Sequence, residues 1–177
     1  MLVIAATERE LEGADGGIAC GVGPVDAAAA TARALAERRP GGVLHIGLAG
    51  AHGFGGPELV IGSEAVYCDT DSRLVVRVAR PDPRLVESAR RVLPRARVCP
   101  IGTSARVGGT TGCDVEAMEG FAVLRACELA GVPAVEVRAV SNEITEPDRG
   151  LWRFDDALAL LRAALPSLLQ ELRDAHA

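Results

Sequence analysis

Short apolar runs alternate with longer amphipathic segments along most of the chain. Residues 2–6 are continuously apolar over a strand's length, which predicts a strand buried on both faces. A second strand is predicted at 18–22, ending in the turn Gly21-Val22-Gly23-Pro24. Pro24 suits a first helical turn, and 25–39 is rich in Ala, Leu and Arg, so a helix follows until Pro40-Gly41-Gly42 stops it. Residues 43–48 predict a third buried strand running into a small-residue loop, Ala49-Gly50-Ala51-His52-Gly53. Short strands are predicted at 58–61 and 63–68, a helix at 83–93 and a strand at 97–101. Gly102-Thr103-Ser104-Ala105 and Gly108-Gly109-Thr110-Thr111-Gly112 read as loop. A helix over 119–130 ends at Gly131 with Pro133 beyond it. A buried strand follows at 134–140, and 155–175 is an amphipathic helix interrupted by Pro166. This alternation predicts a three-layer α/β/α fold, with a mostly parallel mixed sheet between two helical layers. No repeat, linker or low-complexity stretch divides it, so one domain is expected over residues 1–177.

Composition then narrows the chemistry. At 177 residues the chain is long enough for one domain with a real core. All 19 basic residues are Arg. Without Lys there is no Schiff-base or pyridoxal-phosphate chemistry, no lysine base and no GxxxxGK[ST] phosphate loop. A net charge of −5 and the lack of an Arg stripe argue against a nucleic-acid partner. Cys20, Cys68, Cys99, Cys113 and Cys127 show no CxxC spacing and no nearby His pattern, so no metal is expected. They read instead as reduced, mostly buried thiols. No apolar stretch reaches membrane-spanning length, so no membrane partner is expected. Met1 leads straight into a strand without a charged leader, and the expectation is an unexported, cytoplasmic protein.

In α/β sheets, ligands gather at the carboxyl ends of the strands. The first strand runs into Thr7-Glu8-Arg9-Glu10, the second into Gly21-Val22-Gly23, the third into Gly47-Leu48-Ala49-Gly50 and the late strand into Ser141-Asn142-Glu143. Glu116-Ala117-Met118-Glu119-Gly120 opens a helix with acidic groups at its positive end. Each has a plain structural reading: carboxylates cap helices, glycine turns follow strands, and Asn sits in turns. Gly21 and Gly23 lack the third glycine of a dinucleotide fingerprint. Their joint placement at strand ends favours a ligand site.

Three stretches carry a resemblance: Ala5-Ala6-Thr7-Glu8-Arg9-Glu10, then Gly21-Val22-Gly23-Pro24-Val25-Asp26-Ala27-Ala28, then His45-Ile46-Gly47-Leu48-Ala49-Gly50. The most specific block is Asp114-Val115-Glu116-Ala117-Met118-Glu119-Gly120-Phe121-Ala122, followed by Val132-Pro133-Ala134-Val135-Glu136-Val137-Arg138-Ala139-Val140-Ser141-Asn142. Over nearly its whole length the chain resembles the nucleoside phosphorylase/nucleosidase superfamily. Met118-Glu119-Gly120, Asn142 and Asp148-Arg149-Gly150-Leu151-Trp152 are most similar to its futalosine hydrolase branch, which releases hypoxanthine from futalosine in menaquinone biosynthesis. The resemblance implies a small-molecule purine nucleoside substrate, no cofactor and a homo-oligomer. It implies that Glu10 is the carboxylate that activates water, and that Glu119, with Met118 beside it, holds the ribose. Asn142 matches the base-recognising position, and Ala49, Gly50, Arg106 and Val107 match segments lining the site. Arg106, Arg149 or Trp152 could face the substrate's aryl-acid arm, and Trp152 reads equally well as a core residue. Relative to that superfamily the chain looks shortened between Leu11 and Ile18 and between Thr70 and Arg97.

The chemistry agrees with those roles. N-glycosidic cleavage passes through an oxocarbenium-like sugar and a base that leaves when protonated at N7. One carboxylate can orient water and a second can anchor the hydroxyls, both adding negative potential. Adenine protonated at N7 presents two donors on that edge, whereas hypoxanthine presents an acceptor and a donor, which an amide matches. Asn142 therefore predicts a 6-oxopurine. The glycine turn and the third-strand loop lack the Arg that a phosphorylase of this superfamily uses, which favours water as nucleophile. Beside Glu8 and Glu10, Arg9 reads as a salt-bridged structural group. The alternatives are another 6-oxopurine nucleosidase, a purine nucleoside phosphorylase, or a catalytically silent nucleoside-binding protein.

Overall fold

The structure, a computed structural model, describes residues 1–110 and 112–175; Thr111 of the predicted loop lies outside them. In chain order the elements are β1 (Leu2–Ala5), β2 (Ile18–Ala19), α1 (Pro24–Arg38), β3 (Val43–Ala51), β4 (Glu58–Tyr67), β5 (Val78–Ala79), α2 (Pro83–Val92), β6 (Arg97–Thr103), β7 (Val115–Ala117), α3 (Gly120–Ala130), β8 (Ala134–Glu143) and α4 (Phe154–Asp174). A 3-10 turn at Arg149–Leu151 precedes α4. No helix among the described residues is long and apolar enough to cross a membrane.

The eight strands of the described residues join one mixed sheet, ordered β2-β1-β3-β7-β6-β4-β5, with β8 pairing both β3 and β4. The pairs β1–β2, β1–β3, β3–β8, β4–β6 and β6–β7 are parallel, and β3–β7, β4–β5 and β4–β8 are antiparallel. The pairings β3–β8–β4–β6–β7–β3 close into a ring, a feature that the alternation of strands and helices does not announce. Val60, Ile101, Val115 and Val140 pack with Ala49 and Ala51 to form one cluster of this region. On one face, Leu85 and Ala89 of α2 and Leu161, Leu165, Leu168 and Leu172 of α4 cover Leu44, Ile46, Val135 and Val137. On the other, Ala27, Ala34 and Leu35 of α1 pack with Val123, Leu124 and Cys127 of α3. The three-layer α/β arrangement is the expected one.

Local chemistry explains where the elements differ from expectation. The predicted strands at 58–61 and 63–68 are one strand with an irregularity between Gly62 and Glu64. β3 and β8 both run further than predicted, because each keeps a pairing partner past its apolar run. The small residues 49–51, predicted as loop, are therefore strand, with a register shift between Ala49 and Gly50. Likewise Ser141, Asn142 and Glu143 are the last residues of β8, not a turn after it. The second strand shrinks to Ile18–Ala19, and β7 takes Glu116 out of the predicted helix start. α4 continues through Pro166. The missing hydrogen bond and ring clash of an interior proline are outweighed there by the buried Leu158, Leu161, Leu165, Leu168 and Leu172.

Candidate active site

A cavity of about 810 Å³ opens over the ends of β1, β3, β7 and β8. All eight residues singled out from the sequence line it: Glu10, Ala49, Gly50, Arg106, Val107, Met118, Glu119 and Asn142. Thr7, Val22, Leu48, Glu116, Ser141, Trp152 and Phe154 complete much of the wall.

Glu10 is placed by the turn that follows β1. The Glu10 amide donates to the Thr7 carbonyl at 3.2 Å, folding the carboxylate back over the strand end. There Oε2 accepts from the Thr7 amide at 2.9 Å and from its hydroxyl at 2.8 Å. Oε1 accepts from the Leu48 amide at 2.9 Å. β1 pairs with β3 only as far as His45, so the Leu48 amide lies beyond its last partner, and Glu10 supplies the acceptor. Only 8 % of Glu10 is exposed, and the lone pairs left over can accept from a water in the cavity. Glu8, the other carboxylate of this turn, is exposed.

Glu119 precedes α3 but makes no side-chain cap on its own helix. The expectation of acidic groups serving that helix start is corrected by where the carboxylate goes. Oε1 accepts from the Gly23 amide at 3.0 Å, at the N-cap of α1, whose positive end favours an anion. Oε2 faces the guanidinium of Arg138, with Nη1 and Nη2 each 3.4 Å away. Glu116, on β7, instead ties down the neighbouring loop. It accepts from the Gly108 amide at 2.6 Å and the Thr110 hydroxyl at 2.8 Å, which holds Arg106 and Val107 beside the cavity.

Asn142 lies across from Gly50 in the β3–β8 register. A Cβ on Gly50 would stand 3.0 Å from Asn142 Nδ2, so glycine here makes room for the amide. Nδ2 donates to the Glu143 carbonyl at 3.0 Å, and Oδ1 accepts from the Ser141 hydroxyl at 2.9 Å. A carbonyl can only accept, so this contact fixes which way the amide points. One N–H and one lone pair of the amide remain for a ligand.

Arg9 pairs with Asp155 at the start of α4 rather than with Glu8 or Glu10. Trp152 reaches the cavity wall while its indole N–H donates to the Glu146 carbonyl at 3.1 Å. Arg149 sits over that ring, 5.4 Å from its centroid. Cys20, Cys113 and Cys127 are buried and unpaired. Burial pushes the thiols of Cys20 and Cys127 up to about 12 and that of Cys113 up to about 11, so all three stay protonated. Among the described residues no group of three or more His, Cys, Asp or Glu is placed to hold a metal ion.

Three residues that the sequence reading passed over lie directly behind the carboxylates: His45, Glu136 and Arg138, all fully buried. A Cβ on Gly47 would lie 2.4 Å from Arg138 Nη1 and 2.8 Å from Glu10 Oε1, so these two side chains close over the bare backbone of β3. The sequence did hold a signal. A Glu and an Arg two apart in an otherwise apolar run face the same way, and in a strand covered on both sides neither can reach water.

No protein-family profile matches the chain. Among curated proteins, a futalosine hydrolase of Streptomyces coelicolor is 33% identical over 181 residues, spanning 85% of this chain and 77% of its own length. One from Thermus thermophilus is 32% identical over 180 residues, spanning 85% and 79%. Among solved structures, the MTA/SAH nucleosidase of Streptococcus pneumoniae, in complex with 8-aminoadenine, superposes with a TM-score of 0.82 at 18% identity, covering 95% of this chain and 97% of that one. A futalosine hydrolase mutant of Helicobacter pylori gives 0.81 at 16% identity, covering 98% and 97%. At such identities the structural matches concern the fold.

Proposed function

The chain belongs to the futalosine hydrolase family, and we propose that it hydrolyses the N-glycosidic bond of futalosine, giving hypoxanthine and dehypoxanthinyl futalosine for menaquinone biosynthesis. The observation that carries the reading is the meeting of Glu10, Glu119 and Asn142 around one cavity. Glu10, already holding three donors, accepts a proton from a water and orients it toward the anomeric carbon. Glu119 accepts from the ribose hydroxyls, with Met118 against the sugar, and both carboxylates favour the positive charge that develops there. Asn142 gives its free N–H to O6 and its free lone pair to N7–H, holding the protonated base without being the acid that protonates it. Ala49, Gly50 and the Arg106–Val107 backbone flank the base. The arm of the substrate extends toward Trp152, Phe154 and Arg149, where an aromatic wall and a cation suit an aryl carboxylate. The reading includes a homo-oligomer working in the cytoplasm without cofactor; sedimentation of the purified protein checks the assembly.

The direct test incubates the protein with futalosine, inosine or methylthioadenosine in phosphate-free buffer and quantifies the released base. Hypoxanthine from futalosine is the expected product. Release of adenine from methylthioadenosine at a comparable rate would overturn the role given to Asn142, and strict dependence on added phosphate would overturn hydrolysis.

A further inference from the structure

Behind the two pocket carboxylates lies a buried cluster that the proposed chemistry leaves without a task. Glu136 and Arg138 occupy one face of β8, in register with His45 and Gly47 of β3. A guanidinium has five N–H groups in a fixed plane, and the structure gives each a partner. Nε donates to Glu136 Oε1 at 2.8 Å, and one Nη2 hydrogen goes to His45 Nε2 at 2.5 Å. The three others point to the pocket side, to Glu119 Oε2 and the Leu48 carbonyl, all at 3.4 Å. The close contacts thus lie behind the guanidinium and the long ones in front.

His45 makes a dependable back support. Its Nδ1 bonds the Ile4 carbonyl at 2.9 Å, which fixes the proton there and leaves Nε2 as an acceptor. Burial, and then the charge of Arg138, hold its pKa well below the usual imidazole range, so it stays neutral. Glu136 is held just as tightly. Both its carboxylate oxygens sit under Gly120, where a Cβ would come within 2.4 and 2.6 Å of them, and Oε2 has no hydrogen-bond partner. Such an arrangement is a poor stability device, because a well-packed apolar pair of similar volume often serves a core as well or better.

We propose that Glu136 and His45 are positioning residues for the hydrolysis, fixing the guanidinium of Arg138 so that it orients Glu119 without cancelling the pocket's negative charge. Taken alone, Arg138 would orient Glu119 and at the same time offset the potential that the cationic sugar needs. Paired with Glu136 it is locally neutral, and Glu10 and Glu119 keep their charge for the substrate. This inference rests on the proposed reaction, since it presupposes an oxocarbenium-like transition state in this cavity.

The test compares wild type with Glu136→Gln, which keeps the volume and the acceptor for Nε but removes the charge. With futalosine, kcat is expected to fall about tenfold or more, since one unit of charge is lost in a buried site, while KM changes less than about threefold. Two probes then separate positioning from packing: a purine analogue with a protonated iminoribitol ring, and its neutral ribose isostere. Affinity for the cationic probe should fall about tenfold or more and affinity for the neutral one less than about twofold. Equal losses for both probes, or an unchanged kcat in the folded variant, would overturn the proposal. If Glu136→Gln does not fold, His45→Gln carries the test, since it removes only the second support. A folded His45→Gln with wild-type kcat overturns it equally, and a fall in kcat at near-constant KM supports it. Failure of the wild type to act on futalosine refutes the proposed function instead, and the two probes still read the charge effect by binding alone.

Discussion

Replacing Asn142 by aspartate changes one atom's chemistry at the position proposed to read the base. In the wild type Nδ2 donates to the Glu143 carbonyl at 3.0 Å and keeps a second N–H for the ligand, while Oδ1 keeps a lone pair. The new carboxylate offers only acceptors. Toward hypoxanthine it opposes O6 with an oxygen, leaving a buried mismatch of about 1–3 kcal/mol. Toward the 6-amino analogue it removes a mismatch of about the same size, by accepting from both the amine and N7–H. The two changes act in opposite directions on the two substrates, so their ratio moves by at least about 2 kcal/mol, roughly thirtyfold in kcat/KM. A cost in stability accompanies this. The Glu143 carbonyl would face an acceptor at the same site, where Asn142 is only 4 % exposed, and about 1–3 kcal/mol of folding free energy is expected to be lost.

The assay measures kcat/KM for futalosine and for its 6-amino analogue by chromatography of released base, on protein whose melting curve stays cooperative. The reasoning fails if the folded variant keeps the wild-type ratio within about threefold. It fails as well if both substrates lose activity in proportion, since that would mean position 142 supports the cavity without distinguishing the bases.

Further consequences follow from the same contacts. Glu10→Gln should lower kcat by about 10²–10⁴-fold if the carboxylate activates water; the amide must also turn its NH2 toward a donor, either the Leu48 amide or Thr7, so a melt should show a loss of about 1–3 kcal/mol. Gly120→Ala would drive a Cβ to 2.4 Å from Glu136 Oε1, and a urea midpoint shift worth about 1–3 kcal/mol is expected; an unchanged midpoint would mean α3 slides freely. His45 has a folded pKa well below its unfolded value near 6.5, so only the unfolded chain takes up that proton as the pH falls below that value. Stability should therefore drop from about pH 7 toward 5.5, by at most about 1.4 kcal/mol per pH unit from this group. The difference between wild type and His45→Gln isolates the effect from Glu136, whose burial-raised pKa acts with the opposite sign.

The parts of the site that stood out in the sequence are those where a polar residue breaks an apolar run at its end. Glu10 and Asn142 come just after apolar runs that predict strands, and Glu119 lies beside an apolar helix, so strand-end reasoning picked them out. The residues it missed lie inside runs. Glu136 and Arg138 fall within 134–140, which reads as one more buried strand when only the apolar majority is weighed, and His45 falls within 43–48 in the same way. What makes them intelligible is long range: Gly47, Gly62 and Gly120 leave the space that these side chains fill, and no local pattern brings three distant glycines together. Strand ends were underestimated for a related reason. Gly50 and Ser141 have little intrinsic taste for a strand, yet each lies where β3 and β8 still hold one another. Sheet closure was equally hidden, because it depends on β7, three residues long, bridging β3 and β6.

The same geometry bears on which nucleophile the cavity can accept. Phosphorolysis needs a site for an anion carrying between one and two charges beside the anomeric carbon. Two carboxylates, Glu10 and Glu119, line the cavity, and each would repel such an anion by about 4 kcal/mol per unit of its charge at 4 Å in a medium of effective dielectric near 20. Among the described residues the one fully buried cation nearby is already committed: Arg138 has all five N–H groups assigned and stays charged because Glu136, Glu119 and Glu10 outweigh the effect of burial on it. Arg9 is turned toward Asp155, and Arg106 and Arg149 stand at the exposed rim. Leu48 meanwhile gives its amide to Glu10 and presents an apolar side chain where an anion would need donors. Water carries no charge to be repelled, and in the proposed reaction it is oriented by the acceptor that Glu10 offers and gives up its proton to that carboxylate. An arrangement with this balance of charge favours a neutral nucleophile and a cationic sugar together, since in the proposed reaction the carboxylates that would repel phosphate are the ones that would stabilise the oxocarbenium ion.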